Sequence, residues 1–263
     1  MALINIFKTM EIKEVFKKIK KKFGKDYRKY NGIILPPINM RLMGEKFYDD
    51  KFFLDSSLHE GKRFANELKV NKNSEILEIG CASGRSVIGL VEKVGTVKRY
   101  VGLDAQLRNV NWCKKYIGAK NKFCEFYFID LWHILFNPNG TLKLDENFRL
   151  NFDAESFDLL YLNSVLPNSV DWEISIFAKE YFRLLKPGGT LFLTDFVEEN
   201  VPDMVENPEG YVMKCTYPRQ IVRFEKNYFI KLFTDAGFIL DNYIYGEEID
   251  TQSAFYFSKP SKR

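Results

Sequence analysis

From residue 50 onward, short apolar runs alternate with stretches whose apolar residues recur at three- and four-residue intervals. The runs are EILEIG (75–80), RYVGLD (99–104), CEFYFID (124–130), FDLLYLN (157–163) and TLFLTDF (190–196). Helical spacing covers 84–94, 107–118, 171–185 and 225–236, and DKFFLDSSLHEGKRFANELKV predicts a helix before the first run, ending near Asn71. Strand–helix alternation with nearly unbroken apolar strands predicts a parallel sheet covered on both faces. The end of the chain departs from this pattern. GFILDNYIYGE and QSAFYFSK are two strand-like runs with no helix between them, so the last pair should be antiparallel.

Upstream of residue 50 the pattern differs. Ile12, Val15, Phe16, Ile19 and Phe23 recur at helical spacing among six lysines, which predicts a basic amphipathic helix. GIILPPINMRLMG (32–44) then breaks regular structure at Pro36 and Pro37 and reads as a linker or lid. The expected organisation is therefore an N-terminal extension over 1–50 and one large domain over 51–263.

Charge sharpens that division. Residues 1–30 hold ten Lys/Arg against three acids, a balance of +7, while the whole chain carries +4, leaving −3 for the remainder. Such a helix suits an anionic membrane surface, so peripheral membrane contact through residues 1–30 is one expectation and a solvated helix packed on the domain is the other. No apolar run reaches membrane-spanning length, and the start lacks a secretory pattern, which points to the cytoplasm or the inner face of a membrane. Nucleic acid is a poor partner for a body of net negative charge with a single basic helix. The four cysteines (81, 113, 124 and 215) lack metal-type spacing and read as reduced thiols.

The chemistry begins at EILEIGCASGRSVIGL, a strand, a glycine-containing turn and a helix. Gly80 allows a sharp turn, Ala82 and Gly84 keep side chains off a ligand crossing it, and the next helix aims its N-terminus there. The glycines do not follow the Gly-x-Gly-x-x-Gly nicotinamide spacing. Glu78 just ahead of them would repel a pyrophosphate and suit a cationic amino-acid moiety.

With its later landmarks, this segment resembles the first motif of class I S-adenosylmethionine-dependent methyltransferases. The resemblance runs in order over residues 75–258: YVGLD ends in Asp104, YFID in Asp130, FDLLYLNSV matches the fourth strand, and YFRLLKPGGTLFLTDF matches the helix, Lys-Pro-Gly-Gly turn and fifth strand. It implies an α/β, Rossmann-like, doubly wound sheet of seven strands with the last inserted antiparallel, and S-adenosylmethionine as cofactor. The cofactor-binding set it implies is Glu78, Gly80, Cys81, Ala82, Gly84, Asp104, Ala105, Asp130, Leu131 and Asn163, with Asp104 on the ribose hydroxyls and Asp130 and Leu131 receiving the adenine.

A narrower similarity is to bacterial and archaeal methyltransferases often encoded among surface-polysaccharide and glycosyl-transfer genes. It rests on ILPPINMRLMG, on the helix containing Gly61, on HILFNPNGTLKLDENFRLNFDAESFDLLYLNSV and on EEIDTQSAFYFSKP. Those relatives usually read Ser-Val-Phe-Thr-His after the fourth strand. This chain reads NSVLPNS, with Pro167 and Asn168 at the Thr and His positions, a departure that counts against a base carried over from them.

The candidates for handling a proton are therefore scattered. Asp195 ends the fifth strand, where ligands of such sheets bind. His59 lies in the helix before the first motif, His133 follows the adenine strand, and Asn163, Ser164 and Asn168 could orient an acceptor by hydrogen bonds. Glu198, Glu199 and Asp203 read as solvated loop acids, with no metal spacing, and Tyr161 as core. The expected activity is transfer of a methyl group to a small-molecule or lipid-linked glycan acceptor, a sugar hydroxyl being favoured. RNA or protein methylation, and a catalytically silent binding module, are the alternatives.

Overall fold

The computed structural model describes residues 26–42 and 44–262; the amphipathic helix expected over residues 12–23 lies outside them. Contacts divide the chain into two compact units, 1–56 and 57–263, so the division falls inside a helix.

In the first unit, β1 (Arg28–Tyr30) and β2 (Ile33–Leu35) pair antiparallel, followed by short 3-10 turns at Ile38–Met40 and Glu45–Tyr48. The stretch expected to be irregular thus contains a strand. Asn31 and Gly32, both at positive φ (48° and 82°), form the hairpin turn, and Asn-Gly is the residue pair that such a turn favours. Arg41 organises this unit. Its buried guanidinium donates to the Pro36 and Phe47 carbonyls (3.0 and 3.1 Å), pairs with Asp50 at 2.6 Å and lies over the Phe53 ring. Arg28 reaches the same Asp50 carboxylate at 2.7 Å.

Helix α1 (Asp50–Asn66) leads into the second unit, five residues shorter than the spacing suggests. A seven-stranded sheet follows, with order β11-β12-β7-β6-β3-β4-β5. Its strands are β3 (Glu75–Ile79), β4 (Arg99–Asp104), β5 (Cys124–Phe128), β6 (Phe157–Leu162), β7 (Leu185–Asp195), β11 (Ile239–Ile244) and β12 (Ser253–Ser258). β3, β4, β5, β6 and β7 pair parallel, while β12 runs antiparallel to both β7 and β11. This is the Rossmann-like sheet with an antiparallel last strand.

Four helices connect the strands: α2 (Arg85–Lys93), α3 (Leu107–Cys113), α4 (Asp171–Leu184) and α5 (Lys226–Thr234). The helical run to 118 is completed by a π-helical turn over Lys114–Gly118. On one face of the sheet Leu160, Leu191, Leu193, Phe255 and Phe257 pack with Ile174, Tyr181, Phe229 and Phe233 of α4 and α5. A three-stranded sheet, β8 (Val197–Glu198), β10 (Val222–Glu225) and β9 (Met204–Glu206), was not foreseeable from periodicity, because its strands have two to four residues and their partners are distant in sequence. Among the described residues, no helix is long and apolar enough to cross a membrane.

The other face admits α1 and α2 only by very close backbone approach. A Cβ on Gly89 would lie 1.7 Å from the Ser57 carbonyl oxygen, and one on Gly61 would lie 2.1 Å from that of Gly89. Because backbone cannot yield as a side-chain tip can, Gly89→Ala is expected to lower stability by about 1–3 kcal/mol or more. Urea denaturation measures this; an unchanged midpoint would refute the close approach.

Candidate cofactor and acceptor site

The turn after β3 sits at the carboxyl edge of the sheet, where doubly wound folds bind ligands. Gly80, Ala82 and Gly84 all have positive φ (69°, 44° and 83°). Two of these positions also lack room for a side chain, since a Cβ would come within 2.7 Å of Val165 at Gly80 and 2.4 Å of Ile117 at Gly84. The turn is pinned by the Cys81 amide, which donates to the Leu103 carbonyl of β4, and by the Gly84 amide, which donates to the Cys81 carbonyl, both at 2.9 Å. Cys81 itself is buried beside Gly102 and Cys113, so its side chain packs behind the turn.

Asp104 ends β4 beside this turn. Its carboxylate accepts from the backbone amides of Ala82 (2.8 Å) and Gln106 (2.7 Å) and from Asn109 Nδ2 (3.2 Å). Burial raises its pKa while those three donors oppose the rise. A carboxylate offers about four lone-pair sites, and with three donors in place capacity remains for one further hydroxyl donor, on Oδ2. Ala105 follows, half-buried. The left-handed turn, the start of α2 and a carboxylate at the next strand end together fit a nucleoside-bearing cofactor.

Glu78, expected to face the cationic end of that cofactor, is turned beneath the loop. Only 3% exposed, it accepts from Tyr100 Oη and the Ser86 hydroxyl, and burial pushes its pKa up to about 7. It belongs to a buried polar cluster on the α1–α2 face. There Glu60 accepts from Arg63 (2.7 Å), Arg85 (3.0 Å) and the Tyr161 hydroxyl, and Arg63 also pairs with Glu248. Burial alone would raise Glu60, yet Arg85, Arg63 and Tyr161 hold it below the usual carboxylate range. Tyr161 is indeed core, fully buried and stacked on Phe192.

Asp130 and Leu131 follow β5. Asp130 closes a loop, accepting from Thr141 Oγ1 (2.6 Å), the Thr141 amide (3.2 Å) and Asn137 Nδ2 (3.1 Å), and those donors lower its pKa. Leu131 bridges to Leu142 and packs on the core. In that loop His133 Nδ1 accepts from the Leu135 and Phe136 amides (3.1 and 3.3 Å), which leaves the proton of the neutral ring on Nε2. Burial lowers its pKa and so keeps the ring neutral.

Two of the three candidates for catalysis, Asn168 and Asp195, are committed to the framework. Asn168 uses its amide group on the carbonyls of Arg219 (3.1 Å) and Gln220 (2.6 Å), while Arg219 donates to the Asn168 carbonyl (3.0 Å) and pairs with Glu173. Asn168 is thus a staple for the segment leading into β10, a role set by sequence-distant partners. Asp195 is fully buried, with Oδ1 accepting from the Phe196 amide (2.7 Å) and no hydrogen-bond partner for Oδ2; burial pushes its pKa well above the usual carboxylate range and closes it to solvent. His59 is exposed on α1, in the neighbourhood of Glu248.

The residues that follow β6, Asn163 and Ser164, are half-buried hydrogen-bonding groups. Asn163, at the end of β6, lies 3.4 Å from Tyr161 Oη through Nδ2. Ser164, at φ 58°, donates its amide to Thr194 and accepts at Oγ from Gln252, which also accepts from Thr194. Glu198 is no free loop acid, since it accepts from the hydroxyls of Tyr211 (2.9 Å) and Tyr245 (2.6 Å), and Glu199 pairs with Lys226. Among the described residues, no group of three or more His, Cys, Asp or Glu side chains is arranged to hold a metal ion.

The sheet order and the loop geometry define a class I methyltransferase fold. A family model described as a methyltransferase domain matches residues 70–237, and the chain belongs to that family. Its cofactor is S-adenosylmethionine. The chain is 25% identical over 174 residues to a phosphoethanolamine N-methyltransferase of Plasmodium falciparum, covering 66% of this chain and 58% of that protein. It is 25% identical over 150 residues to a demethylmenaquinone methyltransferase of Lactobacillus johnsonii, covering 57% and 55%. The chain thus spans little more than half the length of these curated relatives. Among solved structures, an S-adenosylmethionine-dependent methyltransferase of Methanosarcina mazei superposes with a TM-score of 0.52 at 20% identity, covering 74% of this chain and 97% of its own. A cyclase, SpnF, superposes with 0.56 at 13% identity, covering 78% and 81%, so the fold alone does not dictate the reaction.

Glu78 has a thermodynamic signature. Its folded pKa of about 7 lies above the ordinary 4.5, so between those values the folded chain holds a proton that the unfolded chain has released. Stability contributed by this group is present below about pH 4.5 and is lost as pH rises through about 7. Glu78→Gln should therefore gain stability relative to the parent chain across that window in chemical denaturation; parallel pH profiles would refute the assignment.

Proposed function

We propose that this chain transfers the methyl group of S-adenosylmethionine to a small-molecule acceptor, a sugar hydroxyl, free or lipid-linked, being the finer reading. The observation that carries the proposal is the pairing of the left-handed Gly80–Gly84 turn with the Asp104 carboxylate at the adjacent strand end. Relatives named for phosphoethanolamine, demethylmenaquinone and arsenite support a small acceptor. Asn163 and Ser164, neutral hydrogen-bonding groups at the end of β6, suit a polyol.

When bound, S-adenosylmethionine supplies an electrophilic methyl group that passes in line to the acceptor, leaving neutral S-adenosylhomocysteine. The residues of the turn hold one reactant while Asn163 and Ser164 orient the other. Such alignment can lower the barrier by roughly 7–11 kcal/mol. His133, with Nδ1 accepting from two backbone amides, carries its proton on Nε2 and takes no proton there. With Asn168 stapled and Asp195 sealed in the core, a hydroxyl acceptor releases its proton to water. That same observation favours a second reading, an amine acceptor that brings its own lone pair.

The basic segment at residues 1–30 supports a further proposal, peripheral contact with an anionic membrane. It would bring the domain to a lipid-linked acceptor and is tested by vesicle sedimentation at low and high salt.

Two outcomes are expected. Asp104→Ala should weaken S-adenosylhomocysteine binding by about tenfold or more, on the loss of hydrogen bonds to a charged group of about 1.5–3 kcal/mol; equal affinity by calorimetry would misplace the ribose contact. Methyl-labelled S-adenosylmethionine given to fractionated lysate should label a polysaccharide or organic-extractable glycolipid fraction. Label in small amines would select the second reading, and label in RNA or protein would overturn both.

A further inference from the structure

The cluster behind the cofactor turn has a charge inventory that bears on which ligand the turn prefers. Glu78 lies one residue from the end of β3, its carboxyl between that strand and the first turn of α2. Tyr100 faces it from β4, Ser86 and Arg85 from α2, Glu60 from α1, Cys81 from the turn itself and Cys124 from β5. Arg63, Tyr161 and Glu248 complete the cluster around Glu60. The two guanidinium groups, Arg63 and Arg85, pair with Glu60 and Glu248, two carboxylates. These four charges sum to zero, and the half-exposed Glu67 beside Arg63 adds one more negative charge, so a negative charge on Glu78 is in excess among its buried neighbours.

The two ligands that must exchange at the turn differ in one charge. The sulfonium of S-adenosylmethionine is a cation, and the thioether left in S-adenosylhomocysteine is neutral. We propose that Glu78 is a specificity-determining residue that sets the preference of this site for the charged methyl donor over its neutral product: with the carboxylate ionised the donor is favoured, and with the carboxyl protonated the preference is lost. The proposal rests on the cofactor assignment and adds a role that contact with the ligand does not supply, because Glu78 acts through the turn from beneath. Screening is weak there, since Glu78 is 3% exposed and its neighbours are buried side chains and backbone. Its pKa of about 7 puts the change of state within reach of ordinary buffers. By linkage, binding the donor draws the proton off Glu78, and binding the product does not. Exchange of product for donor is then favoured at the more alkaline end of the range, while the product's own affinity is unchanged by Glu78.

The test is calorimetry on the full-length chain, with S-adenosylmethionine and S-adenosylhomocysteine as the titrants, at about pH 6 and about pH 8, on either side of the Glu78 transition. The ratio of the two dissociation constants should move toward the donor on the order of 3–10-fold more in the parent chain than in Glu78→Gln. The ligands' own amino groups titrate alike against both proteins, so they cancel in that comparison. Tyr100→Phe provides a second variant. It removes the hydroxyl that donates to the Glu78 carboxylate, so the midpoint of the change should shift to higher pH. Equal pH dependence in the parent and Glu78→Gln, or an unmoved midpoint in Tyr100→Phe, overturns the inference while leaving the methyltransferase reading intact. If S-adenosylmethionine binds at neither pH, that reading falls and this one with it.

Discussion

The buried ion pairs of Glu60 with Arg63 and Arg85 are the interaction on which the site depends. They join α1 to α2, and through Tyr161 and Glu248 they reach β6 and the segment between β11 and β12. The cofactor turn is the short link between β3 and α2, so anything that locates the start of α2 also locates the turn. A buried charge set adds little net stability when complete, because desolvation offsets attraction. Its effect is on uniqueness. Losing one member would strand its partners and cost about 3–5 kcal/mol, so alternative placements of α1 on the sheet are excluded. The Gly61–Gly89 approach does the same by shape, and Arg63 over the Phe192 ring adds an aromatic contact.

The same cluster explains why a carboxyl at residue 78 is neutral enough to be useful. Buried acids are costly when charged, and Glu78 avoids most of that cost by holding a proton near neutrality. Asp195 meets the same burial without a hydrogen-bond donor for its second oxygen, and its pKa is pushed well up. Two carboxyls near the carboxyl edge of one sheet thus differ in availability: one titrates in an accessible range, and the other is a core group.

The acceptor side is built from long-range contacts. Asn168 and Arg219 hold each other's backbone, the Val222 amide donates to the Pro167 carbonyl, and Glu198 gathers two tyrosines from different segments. The segment after β6 is therefore occupied in holding the β8–β10–β9 sheet in place. Asn168 is thereby part of the wall, its side chain and carbonyl both engaged with the 219–220 segment.

The sequence by itself determined the order and type of the main elements. Periodicities of two and of about 3.6 report how each segment meets a core, and that is a local property. It also marked the cofactor turn, because positive-φ positions demand glycine or small residues, and it marked the antiparallel finish, because no helix could fit between the last two strands. Tyr161 was legible as core from alternation alone, and the signal for the β1–β2 hairpin is the Asn31-Gly32 pair, which favours a two-residue turn. Which polar side chains face a ligand was decided only by tertiary structure. Glu78, Asn168 and Asp195 are hydrophilic residues beside the expected site, and nothing local tells a ligand contact from a buried strut. Their roles were set by Tyr100, by Arg219 and by the absence of a partner for Asp195 Oδ2, all determined by how strands distant in sequence come together.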